Sequence, residues 1–258
     1  PKWLIVLNFN LHSLHNWQRG IMSSASNHNQ PLLTAQLEVW LKQKFDLEKP
    51  IYNLGQYIDI RGAIDPALFE AALRQVIEEA EALRVRIIEE NDGPRQVIID
   101  FQKWSLPFID FSAEGDPLES AERWMKSDLA QAPDLKRDQL FNFVLFKIGP
   151  ERFLWYQRFH HIVNDGFGVW LIARRVAEVY TSEVNNLPDS GSAFGSLGLL
   201  LEDEKRYRAS EQFARDRQYW LECLAEMPEP ISLADRPPVK SSGFLRQTAY
   251  IQPLGSGM

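Results

Sequence analysis

The chain has 258 residues, 45% of them hydrophobic and 24% charged, with a formal net charge of -7. That length and apolar content suit one large globular domain or two small ones, and the 15 Phe, 8 Trp and 7 Tyr can fill a core. The acidic balance excludes a strongly basic face, so neither nucleic acid nor anionic membrane is an expected partner; the lone Cys223 excludes an internal disulfide and a cysteine-built metal cluster and fits a reducing, cytoplasmic setting.

At the start, Lys2 to Leu7 imitates a signal peptide poorly, because Asn8 and Asn10 interrupt the apolar stretch and no small-residue cleavage site follows. A better reading takes residues 1–30 as a disordered or non-native leader, with Met22 as the natural start and the polar run Ser23 to Gln30 mobile. Leu32 to Leu47 reads as a helix, with Thr34 as its cap, apolar positions at Leu37, Trp40 and Leu41, and Pro50 beyond its end. Gln56 to Arg61 alternates as a strand does, and Gly62 closes it. Asp65-Pro66 is a strong helix start, and Phe69, Ala72, Leu73, Val76, Ala80 and Leu83 then recur at helical spacing.

Arg84 to Glu89 and Arg95 to Phe101 flank Asn91-Asp92-Gly93, a hairpin signal resting on residues that tolerate positive φ. Pro117 to Ala130 is amphipathic and helical. Phe141 to Ile148 and Arg152 to His160 are the richest strand candidates, and apolar residues on both faces of the first place it centrally in a covered sheet. A helix follows from Phe167, with Val169, Ile172, Ala173, Val176 and Tyr180 on one stripe. Asn185 to Gly198 is a polar connection, and one long helix covers Leu199 to Glu226 before prolines at 228, 230, 237 and 238 break regular structure. Interleaved strands and helices predict an α/β (α+β sandwich) fold, a mixed sheet covered by helices.

The string Phe159-His160-His161-Ile162-Val163-Asn164-Asp165-Gly166 sits between a strong strand and a well-patterned helix. Alternation along a strand sends His160 and His161 to opposite faces, so one addresses a cleft and the other packs behind it. Asp165 can cap the helix or pair with an arginine, and Gly166 supplies a tight turn. A metal pair from His161 and Asp165 is disfavoured, since no further His or Cys stands at ligand spacing.

The string resembles HHxxxDG, the signature of the condensation-domain superfamily of nonribosomal peptide synthetases; chloramphenicol-acetyltransferase-like acyltransferases share its HxxxDG core. Other stretches resemble condensation motifs in order. Leu33-Thr34-Ala35-Gln36 with Trp40 is similar to the opening motif. Glu81-Ala82-Leu83-Arg84 is similar to the second, although Ala80 stands where that motif has histidine. Tyr207 to Ser210 and Asp216 to Trp220 resemble the helical stretch after the active-site string. Tyr52-Asn53-Leu54-Gly55 together with the second motif is similar to siderophore-synthetase and initiating-module domains.

The resemblance implies an acyltransferase that joins a carrier-bound acyl thioester to a carrier-bound aminoacyl amine. His161 would be the catalytic group, supported by His160, Asp165, Gly166 and Arg84, the last as a candidate partner of Asp165. No cofactor or metal would be bound directly; phosphopantetheine arms would arrive on partner carrier proteins, with an adenylation domain in the same synthetase. It further implies a chloramphenicol-acetyltransferase-like amino-terminal lobe over residues 31–238, the start of a truncated second lobe over 239–258, and an incomplete chain, weak or inactive alone, whose missing second lobe is itself a partner. An epimerization domain and a noncatalytic carrier-docking module are the alternatives; a heterocyclizing domain would carry Asp in place of motif histidine.

Overall fold

A computed structural model describes residues 29–45, 49–100, 104–192 and 194–225. The chain divides into two units. One is Asn27–Arg215, which holds both sheets; the other joins Pro1–Ser26 with Asp216–Met258, and its described part is the later portion of the last helix.

The elements run β1 (Asn29–Pro31), α1 (Thr34–Phe45), β2 (Asn53–Arg61), α2 (Pro66–Glu79), a 3-10 turn (Glu81–Arg84), β3 (Val85–Glu90), β4 (Gly93–Ile98), β5 (Phe108–Asp110), α3 (Pro117–Leu129), β6 (Phe141–Gly149), β7 (Arg152–His160), α4 (Gly166–Val184), α5 (Leu197–Arg208) and α6 (Glu211–Leu224). They build a four-stranded sheet in the order β2-β7-β6-β5 and a three-stranded sheet in the order β1-β4-β3. In the larger sheet β5 runs parallel to β6 while the other pairs are antiparallel. The predicted mixed sheet under helices is therefore what the chain forms.

β6 is buried on both faces, as its sequence requires. Phe143 and Leu145 join Phe153, Trp155 and Phe159 of β7 beneath α2 and α4, whose Phe69, Leu73, Val76, Ile172 and Val176 complete that core. Val144 and Phe146, with Leu154 and Tyr156, face Ala121 and Met125 of α3. A third cluster of Val85, Ile87, Leu140, Ile162, Val163 and Leu197 lies under the partly buried Val39 and Trp40 of α1. It ties the residues just after the histidine pair to the small sheet.

Local signals hold where a side chain meets backbone. Asp65 caps α2 by accepting from the Ala67 and Leu68 amides at 2.8 and 3.2 Å. Asp116 caps α3 in the same manner through Glu119. In the hairpin, Gly93 alone of the three turn residues takes positive φ, at 131°, so only that position needs glycine.

Several expectations are corrected. Leu37 and Leu41 of α1 are exposed, and the buried side chains are Gln36 and Gln43, two turns apart on one face. That face meets the backbone carbonyls of Ile162 and Lys49, to which amides can donate and leucines cannot. Thr34 is not a free cap: its amide donates to the Glu204 carboxylate at 3.1 Å, and the Gln36 side-chain oxygen accepts from the Leu33 amide at 2.9 Å. The leader boundary moves as well, because Asn29 and Gln30 pair with Val97 and Gln96; the remainder of 1–30 lies outside the described residues.

The single long helix is two, α5 and α6. Between them the Ser210 hydroxyl donates to the Tyr207 carbonyl at 2.6 Å and accepts from the Phe213 amide, competing with helix continuation. β5 was not legible at all: three residues at an edge carry too little pattern.

Arg175 of α4 is buried to 1% exposure and held by Glu79 of α2 and Asp189, with nitrogen–oxygen distances of 2.7 to 2.8 Å. Its guanidinium lowers both carboxylates below their usual range, although burial of Glu79 opposes this. The clamp fixes α4, and therefore the end of the helix that follows the histidine string.

Candidate active site

The site grows from the end of β7. His160 is the last strand residue, opposite Asn53 of β2. The His161 amide continues the ladder by donating to the Tyr52 carbonyl at 2.8 Å, and the chain then turns, with the Val163 amide donating to the His160 carbonyl at 3.1 Å. Ile162 and Val163 bury themselves in the third cluster. That anchors the turn from below and leaves the His161 side chain exposed.

His160 is 1% exposed. Burial, with the neighbouring His161 and Arg158 charges adding to it, pushes its imidazole down to about 4, so the ring is neutral near pH 7. Its Nδ1 accepts from the Ile162 amide at 3.2 Å. The remaining proton therefore sits on Nε2, which lies 3.4 Å from the Gln43 side-chain oxygen. His160 has no free lone pair to offer a substrate, whereas His161 has an accessible ring.

Asp165 caps α4, accepting from the Gly168 amide at 2.8 Å, and its carbonyl receives the Val169 amide. It is exposed and makes no ion pair among the described residues. Arg84 does not reach it: the guanidinium donates to the Ile99 carbonyl at 3.3 Å, and its Nε is buried with no partner among the described residues. The expected Arg84–Asp165 pair is replaced by a clip between the 3-10 turn and the end of β4, because the second motif's arginine follows its own strand neighbour. Gly166 also departs from expectation. A β-carbon there would meet nothing within 4 Å, and the residue does not take positive φ.

The glycine that the turn demands is Gly168, where a β-carbon would lie 2.0 Å from Asn164 Oδ1. Asn164 in turn accepts from the Asp165 amide at 3.1 Å, so its side chain is held inside the turn. Sequence reasoning passed over Asn164, Gly168 and the buried glutamines; the spacing N-D-G-F-G was visible, but nothing in it marked the second glycine as the crowded one.

It also missed a buried pair immediately upstream. Arg158 Nε donates to Asp128 Oδ2 at 2.7 Å, and the two side chains are 10% and 8% exposed. The Tyr156 hydroxyl and the Asn142 amide donate to the same carboxylate, each at 2.9 Å. Burial, reinforced by the Asp128 charge, raises the Tyr156 hydroxyl far above its ordinary range, leaving it a donor. This network pins α3 to β7 directly before the histidines. Among the described residues no three His, Cys, Asp or Glu converge as a metal site, and no helix is long and apolar enough to cross a membrane.

Comparisons with known proteins agree on one family. The condensation-domain family model matches residues 26–251. A dimodular nonribosomal peptide synthase of Bacillus subtilis is 50% identical over 222 residues, covering 86% of this chain and 9% of that protein. An isonitrile lipopeptide synthase of Streptomyces coeruleorubidus is 40% identical over 219 residues, covering 84% of this chain and 15% of that protein. Among solved structures, the starter condensation domain of rhizomide synthetase RzmA in complex with C8-CoA superposes with a TM-score of 0.77 at 44% identity, covering 81% of this chain and 48% of that one. The chain thus spans about half of that solved domain and a small part of each synthetase. With the family model over most of its length and an exposed histidine inside the HHxxxDG string, this chain belongs to the condensation-domain family of nonribosomal peptide synthetases.

Proposed function

We propose that the polypeptide carrying this chain forms an amide bond between an acyl group held as a thioester and the amine of a carrier-bound aminoacyl group, with His161 at the reacting atoms. One observation carries the reading: of two adjacent histidines, His160 is buried, neutral and hydrogen-bonded on both nitrogens, while His161 is left exposed on a braced turn.

The acceptor nitrogen attacks the thioester carbonyl. A carbon–nitrogen bond forms, the carbon–sulfur bond breaks, and the amine proton passes to the leaving thiolate. The thioester is already activated, and a free α-amine titrates at about 7.7–8.0, so a substantial share is nucleophilic near neutral pH. Holding the two reactants together supplies the larger part of the acceleration, roughly 7–11 kcal/mol in favourable cases. His161 accepts a hydrogen bond from the incoming amine and stabilises the tetrahedral species; His160, Asp165 and Gly166 belong to the turn that carries it, and Arg84 supports the neighbouring strand.

Phosphopantetheine arms of carrier domains deliver the substrates, and an adenylation domain of the same cytoplasmic synthetase loads the acceptor. The starter designation of the solved RzmA domain, together with its C8-CoA, supports an initiating step with an acyl donor. In this reading residues 31–238 form the amino-terminal lobe and 239–258 lead toward a second. The test is His161→Ala in the full-length native polypeptide, assayed for amide product from loaded carriers. Product formation should fall about 10²-fold or more with the fold intact; unchanged turnover would reject the role.

A further inference from the structure

The polar face of α1 is the feature that the function leaves unused. A surface helix ordinarily buries its apolar stripe. Here α1 exposes Leu37, Leu41 and Phe45 and buries two glutamines. Both glutamines end on the histidine segment.

Gln36 Nε2 donates to the Ile162 carbonyl at 3.1 Å and to Gln96 Oε1 at 3.0 Å. Gln96, fully buried on β4, donates onward to the Pro31 carbonyl at 2.9 Å. The Gln36 side-chain oxygen closes the start of its own helix through the Leu33 amide. Two turns later, Gln43 Oε1 faces His160 Nε2 at 3.4 Å, and Gln43 Nε2 donates to the Lys49 carbonyl at 3.2 Å. The backbone of Ile162 is therefore gripped at both ends: its amide by His160 Nδ1 and its carbonyl by Gln36. Ile162 is the residue after His161.

We propose that Gln36 and Gln43 are positioning residues, and that α1 acts as a strut that sets the place of the His161 ring by holding the His160 ring before it and the Ile162 carbonyl after it. Neither glutamine touches substrate. The inference rests on the reading of His161 as the reactive group, and concerns what fixes that group in place. A polar strut suits this duty because hydrogen bonds to a specific carbonyl and a specific ring nitrogen define a register, whereas an apolar contact can slide.

The test compares the native full-length polypeptide with Gln36→Leu, Gln36→Leu/Gln96→Leu and His161→Ala. The single change strands Gln96 and should lower stability. The double change replaces both amides by apolar groups and should restore much of it, since removing both partners is far milder than orphaning one. The Ile162 carbonyl still lacks its donor. In the double variant, amide exchange over residues 161–164 should quicken about tenfold or more, and kcat should fall about 10- to 100-fold with KM for the acceptor held, as expected for slight misplacement of a reacting group.

Parental exchange and parental kcat in the refolded double variant would overturn the proposal, as would faster exchange without loss of kcat. If the double variant does not fold, Gln36→Met, of similar length, is read by the same two measurements. Full activity in His161→Ala would instead remove the functional reading, and exchange alone would then decide whether the glutamines hold the turn.

Discussion

The Asn164 side chain occupies the space that a β-carbon on Gly168 would need, with its Oδ1 only 2.0 Å from that position. The oxygen is engaged by the Asp165 amide, so it cannot swing away without losing a hydrogen bond. Gly166, two residues earlier, has open space around it.

Two alanine substitutions in the same turn should therefore behave differently. Gly168→Ala should destabilise by about 1–3 kcal/mol through overpacking. Gly166→Ala should stay within about 0.5 kcal/mol of the parent. Urea unfolding midpoints measure both, and equal effects would contradict the crowding at Gly168.

His160 makes stability depend on pH. Its imidazole is pushed from 6.5 down to about 4, chiefly by burial, so the unfolded chain binds the proton more tightly than the folded one. The contribution of the neutral ring is complete above pH 6.5 and is lost as pH falls toward 4, reaching of order 3 kcal/mol. His160→Asn keeps an acceptor for the Ile162 amide but cannot titrate. Unfolding free energy measured from pH 7.5 to 4.5 should fall less steeply for the variant, whatever its absolute value. Parallel curves would show that the ring titrates normally.

The Asp128–Arg158 pair should be costly to halve and cheap to remove whole. Asp128→Ala leaves a buried guanidinium without its carboxylate, and also leaves Tyr156 and Asn142 without their acceptor; about 3–5 kcal/mol should be lost. Asp128→Ala combined with Arg158→Leu should recover a large part. Chemical denaturation of the two variants decides the matter, and an additive double variant would mean that the two side chains are not coupled.

The parts of the fold that could be read in advance share one property: their signals come from apolar residues or caps that act locally. β6 announced its central place through apolar side chains on both faces. α2 announced its start through Asp65-Pro66, and its buried face through Phe69, Leu73 and Val76. α1 was misread because Leu37 and Leu41 looked like an inward stripe, while the face that mattered carried glutamines. Their partners, the Ile162 carbonyl and the His160 ring, are distant in sequence, so no local pattern reveals them.

The site divides along the same line. The histidine pair and the capping aspartate were visible as a string, and strand alternation already separated the two rings. Arg84 is a candidate partner of Asp165 on its motif alone, and it instead bonds the Ile99 carbonyl across its own hairpin. The crowding at Gly168 and the buried Asp128–Arg158 pair depend on three-dimensional neighbours, and periodicity carries no trace of either.

β7 is hydrogen-bonded along both edges, matched residue for residue to β2 from Asn53↔His160 to Arg61↔Arg152, and paired on the other side to β6 from Phe141↔Phe159 to Gly149↔Arg152 with a shift of register between Lys147 and Gly149. Because neighbouring side chains on a strand face opposite ways, sliding β7 by a single residue would exchange the sheltered ring for the reactive one. Two flanking partners must both let go before that can happen. Single-residue deletions within β7 should therefore silence the chemistry even in molecules that still fold, since the outward place would be taken by a different side chain.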